Sequence, residues 1–188
     1  MKAFLRDILT TFLLAAIVYL GLRVTVQDYI IQQSSMEPSF YEGQRVLVNK
    51  VVYRLHPPQR GDVIILRPPQ SSGSGDIPFI KRVIGLPGET VEVKNGGVSV
   101  NGVKLEEPYI KDPPTYVYPA KKVPGNNYFV LGDNRNNTDD SHRGWTVPRE
   151  DVIGKAWVIV WPPGNWGLVK TYNLPQQLNL LMGYLALQ

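Results

Sequence analysis

Two residues of this chain, Ser35 and Lys81, could together carry out nucleophilic catalysis. A serine hydroxyl is a poor nucleophile until a neighbouring group accepts its proton, and a lysine amine accepts a proton only when its neutral form is populated near neutral pH. Ser35 lies in the segment QSSMEPS (residues 33–39), and Lys81 lies in FIKRVIG (residues 79–85). We therefore hypothesise a serine hydrolase that uses a lysine base.

The residues around Lys81 favour a neutral lysine. In a strand, alternate side chains point to the same face, so Lys81 would share a face with Phe79 and Val83 while Arg82 points away. An apolar face removes water from the amine, and burial without an acidic partner lowers a lysine pKa. Alone, each residue fits a plainer role, because most lysines are solvated and most serines lie in turns or caps.

Three separated motifs strengthen the hypothesis, because they follow an apolar N-terminal segment in a fixed order. They are SMEP (residues 35–38), KRVIGLPGE (residues 81–89) and GDNR (residues 132–135). From the apolar segment to about Pro162, the chain resembles the type I signal peptidases, the bacterial leader peptidases with a serine-lysine dyad. Three motifs in order are far more specific than any one of them.

The resemblance implies a role for several residues. Ser35 is expected to be the nucleophile, with its backbone N–H donating to the oxyanion, and Lys81 the general base. Thr138 stands where the family has a hydroxyl residue that orients the lysine amine, and Arg82 resembles an arginine that pairs with one of two structural acids. The other structural residues implied near the site are Met36, Asp133 and Asp140.

Two positions depart from the family pattern. The family usually has glycine or serine two residues before the nucleophile, where it helps to form the oxyanion hole. This chain has Gln33, whose side-chain amide could donate instead. After the third motif the chain reads DSHRGW (residues 140–145), which shifts an aromatic residue and affects local packing. We expect neither difference to remove the dyad.

An apolar run from Ile8 to Val26 is long enough to cross a bilayer as a helix, since about 20 residues span about 30 Å. No small-x-small cleavage site follows it before Ser35, which favours an uncleaved anchor over a signal peptide. Lys2 and Arg6 precede the run, so the positive-inside tendency places the N-terminus in the cytoplasm. We predict a single-pass plasma-membrane protein with an extracytoplasmic catalytic domain.

After the anchor, short segments of β-forming residues alternate with turns. Asn95, Gly96 and Gly97 join two such segments and predict a hairpin. No long amphipathic helix intervenes, so the predicted class is mainly β, an antiparallel β-sheet catalytic domain behind one transmembrane helix. The predicted strands are Arg45–Lys50, Asp62–Leu66, Phe79–Ile84, Thr90–Val93, Val98–Asn101, Tyr128–Leu131 and Lys155–Trp161.

The length of 188 residues leaves room for an anchor (1–27) and one β-rich protease domain (28–188). Within that domain, glycine and serine favour a mobile loop at about 67–78, and a small subdomain is expected at about 95–125. The apolar segment 178–187 is too short to cross a bilayer and is interpreted as a core-packing or interfacial helix.

The composition excludes several other chemistries. The chain has no cysteine and two histidines, which excludes disulfides, thiol catalysis and cysteine-rich metal sites. We expect no metal and no cofactor, since the acidic loop 133–140 lacks the glycine and the distal glutamate of a calcium-binding EF-hand. A triad of Ser35 with His142 and Asp139 or Asp140 stays open as an alternative mechanism.

The membrane is expected to bring the enzyme to its substrate. Ser35 lies only nine positions after Val26, so the nucleophile lies within about 30 Å of the membrane surface. The net charge of +4 could draw the domain towards anionic lipid. Trp157, Trp161 and Trp166 could enter the interface, although Trp157 is equally suited to a core.

The predicted function is therefore a membrane-bound serine endopeptidase that removes signal peptides from exported preproteins through an acyl-enzyme. The expected partners are preproteins and membrane lipid, with no nucleic acid, and the sequence leaves the oligomeric state unknown. Two alternatives remain. One is a LexA-like self-cleaving serine-lysine protease, although the N-terminus offers no helix-turn-helix. The other is a catalytically silent, membrane-tethered β module that binds partners.

Overall fold

The computed structural model describes residues 2–70 and 77–172. The described chain is an N-terminal helix followed by strands that form two antiparallel sheets. The helices are α1 (Lys2–Thr25) and the short α2 (Val52–Leu55). The strands are β1 (Val26–Ile30), β2 (Arg45–Asn49), β3 (Val63–Leu66), β4 (Phe79–Gly85), β5 (Thr90–Lys94), β6 (Gly97–Val100), β7 (Val103–Lys104), β8 (Tyr118–Lys122), β9 (Asn127–Leu131), β10 (Val147–Pro148), β11 (Val152–Trp161) and β12 (Gly167–Leu168).

Helix α1 contains the predicted apolar run. Its window Phe4–Gly21 has a mean hydropathy of 1.7, is not buried against the rest of the protein, and is long and apolar enough to cross a membrane. The helix ends at Thr25, one residue before the predicted end of the run. Val26 instead begins β1, because it pairs with Asn49 of β2, and the N–H of Lys50 donates to the carbonyl of Thr25 at 2.9 Å.

The larger sheet has eight strands in the order β1-β2-β11-β3-β4-β9-β10, with β12 paired to β11. The paired strands are antiparallel. Their hydrophobic side chains alternate between buried and more exposed positions in β2 but are buried throughout in β3 and β4. This architecture confirms the predicted class, an antiparallel β domain with one apolar N-terminal helix.

The smaller sheet has four strands in the order β7-β6-β5-β8. The predicted hairpin is confirmed: β5 and β6 are joined at Asn95 and Gly96, whose φ angles of 50° and 71° suit the tight two-residue turn of a hairpin. Valines of this hairpin pack with Ile84 and Phe129 of the larger sheet. Three strands of this sheet, β6, β7 and β8, lie within the region where a small subdomain was expected.

Each of the seven predicted strands corresponds to a described strand, with ends that differ by three residues or fewer. Five short strands were not predicted, namely β1, β7, β8, β10 and β12. Strand β1 begins at the last residue of the apolar run and contains the polar residues Gln27 and Asp28. Strand β8 contains Pro119, which a strand tolerates at a sheet edge such as this one. Residues 71–76 of the predicted loop and the segment 178–187 lie outside the described residues.

Strand β4 lies where three apolar clusters meet, and all seven of its residues are buried. Ile80 belongs to the cluster under β1 and β2, whereas Ile84 belongs to the cluster under the smaller sheet. Phe79 and Val83 pack together in a third cluster. Any charge on β4 is therefore removed from water on both faces of the sheet.

Candidate active site

The fold brings Ser35 and Lys81 into direct contact, although they are 46 residues apart in the chain. Ser35 lies in the 3₁₀ turn Ser34–Met36, which follows the segment leaving β1, and Lys81 lies near the middle of β4. The Lys81 amine Nζ donates to the Ser35 hydroxyl Oγ at 2.8 Å. Ser35 is 4% exposed and Lys81 is fully buried.

The surroundings of Lys81 lower its basicity. Within the described residues, no carboxylate forms a salt bridge with its amine, and the ring of Phe79 lies with its centroid 4.8 Å from Nζ. Burial lowers the pKa of Lys81 from 10.5 to about 8, although the negative charges of Asp140, Asp139 and Asp133 oppose part of the change. This is the direction that the apolar neighbours predict.

Arg82, the next residue of β4, is buried with a full set of partners. Its guanidinium donates to both carboxylate oxygens of Asp133, at 2.9 and 2.7 Å, and to the carbonyl of Gly61 at 3.0 Å. It also lies over the ring of Tyr109, 4.2 Å from the centroid. Burial disfavours the charge, but the hydrogen bonds and charge of Asp133 outweigh it and raise the pKa of Arg82. Of the two implied acids, Asp133 is the one that pairs with Arg82.

Asp140 holds the loop that follows β9. Its carboxylate accepts hydrogen bonds from the N–H of Gly132 at 2.9 Å and from the N–H of His142 at 3.1 Å. The Nδ1 atom of His142 lies 2.7 Å from the same carboxylate, and the ring stacks on Tyr116. In the described part of the chain, no hydrogen bond joins His142 to Ser35. The geometry therefore favours the lysine over the alternative histidine triad.

Thr138 reaches the dyad region without a fixed partner. It is buried, and its hydroxyl Oγ1 has no hydrogen-bond partner among the described residues. The loop that contains Gly132 packs so closely against the Ser35 turn that Gly132 has no room for a side chain. A Cβ added there would clash with the carbonyl oxygen of Ser35 and lie 2.6 Å from Thr138 Oγ1. Only glycine fits at this position. The lysine-orienting role of Thr138 remains a prediction.

Two asparagines, Asn134 and Asn137, fix the turn that carries Ser35, and the sequence did not indicate this role for either of them. The N–H of Asn134 donates to the carbonyl of Ser35 at 3.0 Å, and its side chain donates to the carbonyl of Ser34 at 3.1 Å. The side chain of Asn137 donates to the Ser34 hydroxyl at 3.0 Å. Asn134 lies in the GDNR motif beside the structural residue Asp133, so its position was an available signal.

A cleft of about 290 Å³ opens beside the dyad. The lining includes the segment Gln27–Gln33 together with Ile65, Ile77, Pro78 and Ile80, and Ile80 directly precedes Lys81. Gln33 is exposed in this lining, and its side chain makes no capping hydrogen bond to the 3₁₀ turn. Met36 is fully buried beneath the turn, in the cluster that contains Ile80.

The described residues contain no group of three or more histidines or carboxylates arranged to hold a metal ion. In the acidic loop 133–140, the carboxylate of Asp133 accepts hydrogen bonds from Arg82, and that of Asp140 accepts them from backbone N–H groups. These acids therefore act as structural partners of the loop.

Comparison with known proteins identifies the family. The family described as "Signal peptidase, peptidase S26" matches residues 4–161. Over 159 residues the chain is 45% identical to "Signal peptidase I" of Leptolyngbya laminosa, covering 82% of this chain and 78% of that protein. It is 44% identical to "Probable signal peptidase I-2" of a Synechocystis species, covering 85% and 74%, and 42% identical to "Probable signal peptidase I-1" of the same organism, covering 90% and 89%.

These matches confirm the resemblance that three short motifs indicated. The family match includes most of helix α1 and ends at the last residue of β11, so it contains the dyad, the cleft and the loop after β9. With relatives above 40% identity over at least four fifths of its length, the chain belongs to the signal peptidase family, peptidase S26.

Proposed function

We propose that this protein is a membrane-bound serine endopeptidase that removes signal peptides from exported preproteins, with Ser35 as nucleophile and Lys81 as general base. The observation that carries the mechanism is the 2.8 Å distance between the buried Lys81 amine nitrogen and the Ser35 hydroxyl oxygen. A base must be within hydrogen-bond reach of the proton that it takes, and its pKa must lie near the working pH. A pKa of about 8 meets the second condition.

The reaction begins with Lys81 in its neutral form. As the Ser35 oxygen attacks the scissile carbonyl, its proton moves to the Lys81 amine, and a tetrahedral oxyanion forms. The resulting ammonium returns that proton to the departing amine, which leaves an acyl-enzyme on Ser35. Neutral Lys81 then removes a proton from water, the water attacks the acyl group, and the proton is returned to Ser35 Oγ.

The oxyanion needs donors that are already in place. The first N–H groups of a helical turn have no partner inside the turn, and Ser35 is the second residue of its 3₁₀ turn. Its N–H is therefore one donor, and the exposed Gln33 side chain is the proposed second. If Gln33 donates, Gln33→Ala lowers kcat about 100-fold. Unchanged turnover by Gln33→Ala would remove the residue from the mechanism.

The cleft suits an extended, apolar substrate segment. Strand β1 is the edge of the larger sheet, so its outer backbone groups can pair with an added strand. Five of the eleven residues that line the cleft are isoleucines. An extended preprotein segment would lie along the cleft with alternate side chains pointing into it. The family resemblance implies that these are small residues such as alanine.

The orientation in the membrane follows from charge. Lys2 and Arg6 lie at the start of helix α1, so we place this end in the cytoplasm and the β domain outside. Because the chain has no cysteine, a single Lys121→Cys variant offers one labelling site on the exposed strand β8. A membrane-impermeant maleimide should label it in intact cells. Labelling only after permeabilisation would contradict this orientation.

The exposed tryptophans support contact of the β domain with lipid. Trp157, Trp161 and Trp166 are 49%, 54% and 67% exposed, so the interpretation of Trp157 as a core residue is wrong. Indole rings are favoured at the membrane interface. We therefore propose that these three indole rings contact the headgroups. Blue-shifted tryptophan emission on vesicle addition, lost in a triple Trp→Ser variant, is the expected signature.

The deciding experiment incubates the purified full chain in detergent with a synthetic preprotein that carries an Ala-x-Ala site, beside its Ser35→Ala variant. Cleavage after the site by the wild type alone, identified by mass, is the expected result. Cleavage confined to the protein's own chain would favour the LexA-like alternative. An absence of cleavage by the folded wild type would favour the silent binding module.

A further inference from the structure

A cavity of about 690 Å³ lies apart from the dyad and has a marked excess of positive charge. Four cationic side chains from separate parts of the sequence line it, and the lining contains one carboxylate residue, Glu150. Neither Ser35 nor Lys81 lines it. The four cationic residues are Lys50, Arg54, Arg67 and Arg149.

Two of these cations have only neutral partners among the described residues. The Lys50 amine donates to the side-chain oxygen of Gln27 at a long 3.3 Å. The guanidinium of Arg149 donates to the carbonyl of Tyr53 at 2.6 Å and to the hydroxyl of Tyr128 at 3.3 Å. These contacts orient the two cations without neutralising them.

The other two cations differ from each other in their partners. The Arg54 guanidinium is exposed on α2 and makes no hydrogen bond or ion pair within the described ranges. Arg67 donates to the carbonyl of Glu150 at 3.0 Å and lies 3.7 Å from the carboxylate of Asp151. Three cations therefore line the cavity without a carboxylate partner in the part of the chain that the structure describes, which is an arrangement that attracts an anion.

The cavity lies next to the end of the membrane anchor. Its lining includes Gln27 and Tyr29, two and four residues after the last residue of helix α1. The backbone N–H of Lys50 donates to the carbonyl of Thr25, the final residue of that helix. At about 3.3 Å per strand residue, these groups lie within about 15 Å of the helix end. The headgroup layer is about 5–8 Å thick on each side of the hydrocarbon core. The side of the cavity formed by Gln27 and Lys50 therefore lies at this layer when the apolar run ending at Val26 spans the bilayer.

We propose that this cavity binds the phosphate group of an anionic phospholipid. Arginine forks and lysine amines are the side chains that recognise phosphate, and each basic residue near a membrane surface strengthens attraction to anionic lipid. The position beside the anchor selects a lipid over free phosphate, because the headgroup phosphates of the surrounding bilayer lie at the same level. Bound lipid would fix the β domain against the membrane at a second point besides the anchor.

The test uses the purified full chain in neutral detergent and counts bound lipids by native mass spectrometry, with phosphatidylglycerol and phosphatidylcholine added separately. The wild type should bind phosphatidylglycerol more tightly. Lys50→Gln/Arg54→Gln should weaken that binding about 10- to 30-fold. The matched control is Lys121→Gln/Lys122→Gln, which removes the same charge from the exposed strand β8 and should leave binding unchanged.

Three results would overturn the proposal: equal affinity for the two lipids, an equal loss in the control variant, or inorganic phosphate that binds as tightly as phosphatidylglycerol. A raised KM for a synthetic preprotein in the double variant, with lipid binding intact, would assign the cavity to substrate instead. If the double variant does not fold, Arg54→Gln alone replaces it, since this side chain is exposed. Lipid binding is measured without turnover, so its failure is separate from failure of the proposed protease function.

Discussion

Strand β4 buries two neighbouring basic residues, Lys81 and Arg82, on its opposite sides, and their tendencies to hold a proton differ. On one side, Arg82 is held by both oxygens of Asp133 and keeps its charge. On the other side, Lys81 meets the Ser35 hydroxyl and the ring of Phe79, with no carboxylate in salt-bridge contact among the described residues. Burial disfavours both charges, but Asp133 keeps Arg82 charged, whereas Lys81, without such a partner, loses its proton more easily.

The difference teaches that hydrogen-bonded partners, more than depth, decide the protonation state of a buried base. Three aspartates stand near enough to oppose the loss of charge at Lys81, yet desolvation remains the larger effect. The arrangement leaves the pKa of Lys81 at about 8, between that of a fully paired lysine and that of an isolated buried one.

Replacing Lys81, which has no carboxylate in salt-bridge contact among the described residues, should have the largest effect on activity. We expect Lys81→Met to lower kcat/KM for a synthetic preprotein by about 1,000-fold or more, because no other group can take the Ser35 proton. Lys81→Ala should behave in the same way. The control Lys122→Met changes an exposed lysine and should keep full activity. Normal turnover by a folded Lys81→Met protein would contradict the lysine-base mechanism.

Replacing Asp133, the carboxylate partner of Arg82, should have the largest effect on stability. Asp133→Asn leaves the buried Arg82 charge without its counter-ion, so the free energy of unfolding should fall by about 3–5 kcal/mol. Denaturant unfolding measures the change. Asp28→Asn is the control, since its pair with Arg45 is about half exposed and should contribute less than about 1 kcal/mol. Similar losses of unfolding free energy in both variants would show that Asp133 does not stabilise a buried charge more than an exposed pair does.

The same Lys81→Met variant should be more stable than the wild type at pH 7, by about 1–3 kcal/mol, because it no longer desolvates an ammonium. The unfolded lysine holds its proton up to about pH 10.5, whereas the folded lysine loses it above about 8. Wild-type stability therefore rises with pH between these values. The advantage of the variant should shrink over that window. An advantage that stays constant from pH 7 to 10 would argue against a lowered pKa.

Activity should follow the neutral form of Lys81. With a pKa of about 8, roughly a tenth of the lysine is neutral at pH 7 and roughly nine tenths at pH 9. The kcat/KM should therefore rise about tenfold over this range. The profile is measured with a substrate that has no titrating group there. A flat profile between pH 7 and 9 would exclude Lys81 as the titrating base.

Thr138 offers the smallest test of how Lys81 is held. If its hydroxyl orients the amine, Thr138→Val should lower kcat about 3- to 10-fold, and Thr138→Ser should restore it. The free energy of unfolding should hardly change, because the hydroxyl has no other partner among the described residues. A Thr138→Val protein with wild-type kcat would assign the residue to packing alone.

The fold class could be predicted from local patterns, because short β-forming segments and the turn at Asn95 and Gly96 carry their own signals. The lowered pKa of Lys81 could also be predicted from Phe79 and Val83, which are near neighbours in the sequence. The contact between Lys81 and Ser35 joins distant segments, so no local pattern could indicate it. Only the family resemblance placed these residues together.

Other parts of the site depend on contacts between distant segments of the chain, which local sequence patterns do not predict. Asn134 fixes the nucleophile turn through two hydrogen bonds to residues about 100 positions earlier. Gly132 is required because the Ser35 carbonyl comes close to it. The cationic cavity gathers side chains from β2's end, α2, β3's end and the segment after β10. Each of these features becomes visible only when the chain is folded.

Helix α1 ends at Thr25 and β1 begins at Val26, so the anchor continues into the sheet without a single linker residue. A protease tethered this closely samples a thin layer above the bilayer. Its substrate is held in the same layer by the signal segment. Encounter between them then becomes a lateral search in two dimensions, and the distance of a peptide bond from the membrane becomes part of what the enzyme selects.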